Sequence, residues 1–333
     1  MKMLVQSAGF LSSVQDSGRA GFRSSGVSLG GALDPSAFRV ANALVGNDHN
    51  AAGIEATLGT LRLRFEDRRL VAWCGGDFSV QIGDEDLPSG HAGLVEKDEE
   101  LKMTAPSAGG RAWLAVSGGI DVPLVLGSRS TDLRGNFGGY EGRALRDGDA
   151  LRLFKERRFT NRRPDKNGDL ESAVPWISEW SAPAPWASTA HRDSFLRIVK
   201  GPDWNRFTPD AQTALITNPF VVTPDSDRMG ARLEGPELAR VDATDLLSEA
   251  VAPGTLQVPP NGKPILLLGD CQTIGGYPKI AHVITVDLPI AAQLWPGDPV
   301  RFQEVSLAEA QNLLCAREED FARFRVGLSL HFE

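Results

Sequence analysis

The chain has 333 residues with formal net charge −8 and a pI near 5.3, a length that favours two domains over one and a charge balance that argues against binding duplex nucleic acid. Apolar residues make up 41% and charged residues 23%, enough for ordinary cores, and 35 Gly with 21 Pro favour a turn-rich, mainly β protein over a helical bundle. Three cysteines, Cys74, Cys271 and Cys315, form no disulfide framework and suit a reducing compartment.

The N-terminal stretch MKMLVQSAGFLSSVQDSG has one Lys and no sustained apolar core, so it reads as neither signal nor transit peptide. PILLLG, the longest aliphatic run, is too short to span a bilayer, and the expectation is a cytoplasmic protein with no membrane contact.

LDPSAFRVANALVGN predicts the first helix. Asp34 is its N-cap, Pro35 its first residue, Phe38, Ala41, Leu44 and Val45 its apolar face, and Gly46 its stop. TLRLRF (60–65) alternates apolar and basic residues as a half-buried strand does. Arg62, Arg64, Arg68 and Arg69 then read as a solvated strand face, and Lys155 to Arg163 as part of a linker. RLVAWCGG and KPILLLGD are continuous apolar runs ending in Gly, as in buried strands. RAWLAVSGG, ALRLF, SFLRIVKG, HVITVDLP and PVRFQEV are further strands. PDWNRFTPDAQTALIT predicts two short helical turns, and SLAEAQNLLCAREEDFARF a helix opened by a capping box of Ser306 and Glu309. Residues 156–192, rich in Pro, Ser and charge, read as the connection between a first domain (1–155) and a second (193–333) that ends in a helix. Trp176, Trp180 and Trp186 predict that the connection is packed onto a domain.

Three phrases recur in the same order. DSGRAGFR (16–23) answers DSDRMGAR (225–232), GTLRL (59–63) answers GTLQV (254–258), and RDGDALRLF (146–154) answers WPGDPVRFQ (295–303). Duplication of one module, with longer loops in the first copy, explains the order.

The sequence lacks GxSxG, HExxH, CxxC, a Walker A loop and a strand-linked GxGxxG, and its five His have no ligand spacing, so no metal is expected. Four clusters could carry chemistry. VQDSGRAGFR offers either an Asp-capped turn with Arg19 on Asp16, or Arg19 or Arg23 gripping a carboxylate or phosphate. In PDSDRMGAR, Asp227 could satisfy Arg228 internally. DLRGNFGGYEGRAL (132–145) has four glycines flanking Asn136 and Tyr140, either a tight loop or a backbone cradle with Arg134 and Asn136 as donors. LLLGDCQTIGGYPKIAH (266–282) starts at a strand end and gathers Asp270, Gln272, Thr273, Gly275, Gly276, Tyr277 and Lys279. Asp270 is the candidate base, Lys279 an anion clamp and Tyr277 a donor or stacking face, while Cys271 lacks a nearby His and reads as inert.

Taken together, residues 14–47, 54–65, 133–149, 224–235 and 270–302 resemble a known family. It includes the C-type subunit of bacterial 5-oxoprolinase, allophanate hydrolase subunit 2 and the carboxyltransferase subdomains C and D of biotin-dependent enzymes. The resemblance implies two tandem cyclophilin-like β-barrel domains with a few short helices. It also implies a hydrolase working in a complex, inactive alone, in which ATP drives opening of 5-oxo-L-proline to L-glutamate. Its implied partners are the B-type subunit of 5-oxoprolinase, related to a kinase-inhibitor protein, and the A-type subunit; because this sequence has no recognisable phosphate-binding loop, ATP is expected to be bound by those partners or across an interface with them. Two alternatives share the motifs. One is a carboxyltransferase that receives biotin from another protein, since LKMTAP (101–106) is no biotinyl site. The other is a non-enzymatic antagonist of the kinase-inhibitor protein.

Overall fold

The computed structural model describes residues 1–155, 176–188, 194–242, 244 and 246–332. The chain forms two compact units, and they are not consecutive stretches as the boundaries at 155 and 193 imply. Unit 1 comprises Met1–Gly18, Asp34–Thr189 and Glu319–Glu333; unit 2 comprises Arg19–Leu33 and Ala190–Glu318. Part of the expected connection, 156–175, lies outside the described residues.

Unit 1 contains β1 (Lys2–Ala8), β2 (Leu11–Gln15), α1 (Pro35–Leu44), β3 (Gly53–Thr57), β4 (Leu61–Phe65), β5 (Arg69–Gly75), β6 (Ser79–Ile82) and β7 (Glu85–Asp86). It continues with β8 (His91–Val95), β9 (Glu100–Thr104), β10 (Arg111–Val116), β11 (Ala150–Arg152), β12 (Ile177–Ser181) and α2 (Ala184–Ala187). Its strands form two six-stranded sheets, β11-β1-β4-β9-β6-β7 and β12-β8-β5-β10-β3-β2, which share an apolar core. The alternation in LRLRF places Leu61, Leu63 and Phe65 in that core, each side chain contributing about 1.5–3 kcal/mol by burial. Arg62, Arg64 and Arg68 pair outward with Glu100, Asp98 and Glu96, as a solvated face should. Arg69 departs from that reading. It is buried, donating to Asp67 and to the carbonyls of Ser117 and Phe154. α1 starts as expected, with Asp34 accepting from the Ser36 and Ala37 amides, and Phe38 meets Trp113 edge-on at 4.8 Å. Trp186 packs on Phe321 and Phe324, so the described end of the connection does lie against a domain.

Unit 2 contains β13 (Ser194–Lys200), α3 (Pro209–Thr217), β14 (Phe220–Val222), β15 (Gly230–Glu234), β16 (Glu249–Ala250) and β17 (Thr255–Gln257). It continues with β18 (Ile265–Leu267), β19 (Ile274–Gly275), β20 (Lys279–Val283), α4 (Leu288–Gln293), β21 (Pro299–Glu304) and the start of α5 (Leu307–Phe332). Seven strands close a barrel in the order β13-β20-β17-β18-β15-β14-β21, with Phe220 and Phe302 meeting inside it at 5.9 Å. Half of the capping box forms, the Glu309 amide donating to Ser306 Oγ, and α5 runs for 26 residues, so it is no short helix. The mainly β, cyclophilin-like fold implied by the resemblance is the fold observed, with the first unit's strands organised as two sheets.

The duplication is best seen in one turn. In Arg146–Asp149 the Arg146 amide donates to Asp149 Oδ2 at 2.8 Å, the Asp149 amide to the Arg146 carbonyl, and the Gly148 amide to the Val5 carbonyl. In Trp295–Asp298 the Trp295 amide donates to Asp298 Oδ2 at 3.0 Å, the Asp298 amide to the Trp295 carbonyl, and the Gly297 amide to the Val222 carbonyl. Gly148 and Gly297 both take the left-handed conformation, φ 90° and 97°, which a side chain resists. Strand order agrees: β11-β1-β4-β9-β6 matches β21-β14-β15-β18-β17, with Val5 opposite Leu63 and Val222 opposite Leu233. GTLRL and GTLQV are therefore not equivalent, since β4 matches β15 rather than β17. The first phrase pair is displaced too, DSGRAGFR following β2 while DSDRMGAR joins β14 to β15.

The two turn carboxylates are displaced from the usual carboxylate range in opposite directions. Hydrogen bonding to Arg143 holds Asp149 below the usual carboxylate range, whereas burial pushes Asp298 up. Because the folded value of Asp149 lies below its unfolded value, its contribution is complete above the unfolded value and vanishes as pH falls through the folded one. Asp149→Asn is expected to lower unfolding free energy by about 1.5–3 kcal/mol at pH 7. The gap from wild type should close below about pH 4, as followed by urea unfolding across pH.

Candidate functional site

In unit 2, segment 19–33 lies against the turn that follows β18. The Gly30 amide donates to the Gly269 carbonyl at 3.0 Å, and Leu33 joins the barrel core. Backbone bonds also run from Leu268 to Met229 and from Asp270 to Arg228. These bonds set up a two-point ion pair, Arg228 Nε to Asp270 Oδ2 at 2.8 Å and Nη2 to Oδ1 at 3.1 Å, with Nη2 also donating to the Gly31 carbonyl at 2.7 Å. Both side chains are almost wholly buried. Arg19 is buried beside them. A Cβ added at Gly30 would lie 3.5 Å from Arg19 Nη1 and 3.8 Å from Asp270 Oδ1, so this glycine, at φ +61°, brings the backbone up to both groups. Arg23 reaches the other side of the turn, donating to the Val251 carbonyl and, at 3.2 Å, to the Gln272 carbonyl. Three guanidinium groups thus converge on the Asp270–Gln272 turn, an arrangement suited to planar oxyanions.

The rest of the turn folds back on β17. Gln257 donates to the Tyr277 carbonyl and accepts from the Gln272 amide, both at 3.2 Å. A Cβ at Gly275 would come within 2.7 Å of Gln257 Nε2, and one at Gly276 within 3.2 Å of the Leu246 carbonyl, so the glycine pair serves close packing. Lys279 Nζ lies 2.7 Å from Glu249 and 3.6 Å from Asp203. Tyr277 is 45% exposed and stands at the rim. His282 Nδ1 is 3.2 Å from Thr255 Oγ1, and burial followed by Lys279 pushes its pKa down, leaving a neutral imidazole at pH 7.

Several expectations change. Asp270 is no free base, because both of its oxygens accept from Arg228; it orients that guanidinium. Lys279 is no open anion clamp, because two carboxylates already face it. Asp227 accepts from the Met229 and Gly230 amides rather than from Arg228. Asp16 accepts from the Gly18 and Arg129 amides and from Ser128 and Ser130, not from Arg19. Arg19, Arg228, Asp270, Gln272, Gly275, Gly276, Tyr277 and Lys279 all belong to unit 2, whereas Arg134 and Asn136 belong to the glycine-rich loop of unit 1. Both of those residues are exposed, and Asp132 Oδ1 fixes the loop by accepting from the Arg134 and Gly135 amides. A Cβ at Gly139 would sit 1.8 Å from Thr131 Oγ1, and one at Gly142 2.3 Å from the Asn136 carbonyl, so these two glycines face the interior and meet a packing demand. Sequence reasoning passed over Gly30, Gly31, Gln257 and Glu249. The one local signal was the Gly30–Gly31 pair ahead of Asp34.

Burial pushes the Cys271 thiol up despite Arg23 beside it, and burial pushes Cys74 up as well. Cys315 is exposed. In the native protein at pH 7.5 a maleimide is expected to label Cys315 alone, with the other two thiols reacting only after denaturation. Mass spectrometry of the adducts checks this, and fast native labelling of Cys271 contradicts it.

Two β units, one a closed barrel with an arginine-lined turn, define a class, and the sequence comparisons agree with it. The chain belongs to the carboxyltransferase domain family, subdomain A and B, which matches residues 25–304. The resemblance implied the letters C and D for the same family. In particular, the chain is 39% identical to the C-type 5-oxoprolinase subunit of Escherichia coli, over 98% of each chain, and 35% identical to that of Haemophilus influenzae, over 90% of each. It also superposes on the Kluyveromyces lactis urea amidolyase crystal structure with a TM-score of 0.85 at 28% identity, covering 97% of this chain but 20% of that one. Among the described residues no helix is long and apolar enough to cross a membrane, and no His, Cys, Asp or Glu group is placed to hold a metal.

Proposed function

We propose that the chain is the C-type subunit of an ATP-dependent 5-oxoprolinase, a cytoplasmic hydrolase complex that opens 5-oxo-L-proline to L-glutamate. The observation that carries this reading is colinearity: the two 5-oxoprolinase relatives align over 98% and 90% of their own length, whereas the chain spans 20% of the urea amidolyase structure. The lactam is a resonance-stabilised amide. Opening it breaks the ring C–N bond and adds water, giving a carboxylate and an amine. The chain's contribution is positioning: the Arg228–Asp270 pair holds the turn in register, Arg19 and Arg23 on that turn give it the positive charge that favours the substrate carboxylate or the oxygen that gains charge, and Tyr277 donates at the rim. Phosphoryl transfer from ATP to the amide oxygen releases ADP and makes the carbonyl carbon electrophilic; water adds there, the ring C–N bond breaks with the nitrogen taking a proton, and hydrolysis of the acyl phosphate releases phosphate. Gly139 and Gly142 answer a packing demand, and the sequence has no Walker A loop for the ATP phosphates. We place ATP with the A-type and B-type partners, the latter a kinase-inhibitor-like protein, and expect the isolated chain to be inactive.

The carboxyltransferase family membership and the urea amidolyase similarity favour a second reading, transfer of carboxyl from a biotin carried by another protein. Co-purification with the A-type and B-type partners, followed by phosphate release with and without 5-oxoproline, separates the two. Release that requires all three proteins and 5-oxoproline supports the hydrolase. A stable complex without turnover would favour the antagonist role instead.

A further inference from the structure

We propose that unit 1 carries a second binding site, a cationic cavity for the oxyanion of a small ligand, phosphate or carboxylate. The cavity, about 480 Å³, is bounded by the loop after α1, by Arg129 and Phe154, and by Lys155. That volume suits a small molecule.

Arg129 is built into this wall. Its amide donates to Oδ2 of the fully buried Asp16 at 2.6 Å. Its Nε donates to the Val122 carbonyl at 3.2 Å, and its guanidinium carbon sits 4.9 Å above the Phe154 ring. Backbone, Nε and one guanidinium face are thus fixed, while no hydrogen bond or ion pair among the described residues occupies Nη1 or Nη2.

The opposite wall is equally ordered. Asn47 uses its whole amide inside the protein, donating to Asn42 and to the Val116 carbonyl and accepting from the Gly118 amide. Asn50 accepts through Oδ1 from the Ser17 amide and hydroxyl, which turns its Nδ2 donor away from that contact. Lys155 and His49 are exposed on the same cavity. The donors available are therefore an oriented guanidinium edge, an ammonium, an amide and an imidazole. Asp48 is the one carboxylate among the described residues that line the cavity. A rigid fork with adjacent point charge is the arrangement that recognises a planar or tetrahedral oxyanion. Nothing in the proposed ring opening uses these residues.

The test titrates the full-length chain with inorganic phosphate, ATP and L-glutamate in separate calorimetric experiments at low ionic strength. At least one is expected to bind saturably at one site. Arg129→Gln and Lys155→Gln should each weaken it at least about tenfold, and Arg62→Gln should leave it unchanged. Added salt should weaken it further. Which probe binds distinguishes free phosphate, a nucleotide and a carboxylate. Absence of saturable binding by all three, or binding unaffected by both cavity variants, overturns the site. Lys155 is exposed, so its variant keeps the test intact if Arg129→Gln unfolds.

Discussion

Asp270→Ala is expected to lower unfolding free energy by about 3–5 kcal/mol, because Arg228 would lose its bidentate acceptor while staying buried. The loss exceeds that of an ordinary surface ion pair, worth about 0–1 kcal/mol, since water cannot resolvate the guanidinium in place. Arg228→Lys keeps the charge but not the planar fork, so it should recover only part of the stability. In the reconstituted complex both variants should lose turnover by about 100-fold or more, the size of effect seen when one preorganised donor is removed. Arg19→Ala should lower both stability and turnover, because Arg19 is fully buried and borders the Arg228–Asp270 pair across Gly30. Denaturant unfolding and turnover, measured side by side, check these outcomes. Unchanged stability in Asp270→Ala would show that the pair does not order the turn.

Asp16→Ala is expected to destabilise unit 1 by about 3 kcal/mol or more. The carboxylate is fully buried and accepts from the Gly18 amide at 2.8 Å, the Arg129 amide at 2.6 Å, and the Ser128 and Ser130 hydroxyls at 2.6 Å each. Each buried donor left without an acceptor costs about 1–3 kcal/mol, and water entering the gap recovers part of the sum. Asp16→Asn keeps the shape but swaps one acceptor for a donor, so it should recover little. Because Asp16 fixes the 128–131 segment, loosening it should also weaken oxyanion binding in the cavity. Thermal unfolding with calorimetry reads both effects, and wild-type stability in Asp16→Ala contradicts this role.

The repeated Asp-Ser-x-Arg-x-Gly-x-Arg phrase shows what the sequence could and could not reveal. Local rules sufficed for α1, where an Asp cap and Pro35 determine the start, and for the Gly-Asp turns, whose residue types dictate their backbone. The mainly β character followed from alternation and punctuation. Partnerships did not follow, because they span long separations: Arg228 to Gly31 crosses 197 residues and Arg23 to Gln272 crosses 249. No local pattern shows that segment 19–33 belongs with the second unit. The same gap led to Asp270 being read as a free base and Lys279 as an open clamp, since each has a partner distant in sequence. Arg69 was misplaced for a related reason, as a continuous apolar run does not reveal that the arginine opening it turns inward to cap two carbonyls.

The central claim is that this chain completes a 5-oxoproline-opening enzyme. The most direct measurement is L-glutamate formation from 5-oxo-L-proline and ATP by the chain mixed with its two partner proteins, each omitted in turn. The account predicts stoichiometric glutamate and ADP in the full mixture and neither when this chain is left out. Glutamate formed at the same rate without this chain, or a full mixture that carboxylates urea when given carboxybiotin but leaves 5-oxoproline intact, would contradict it.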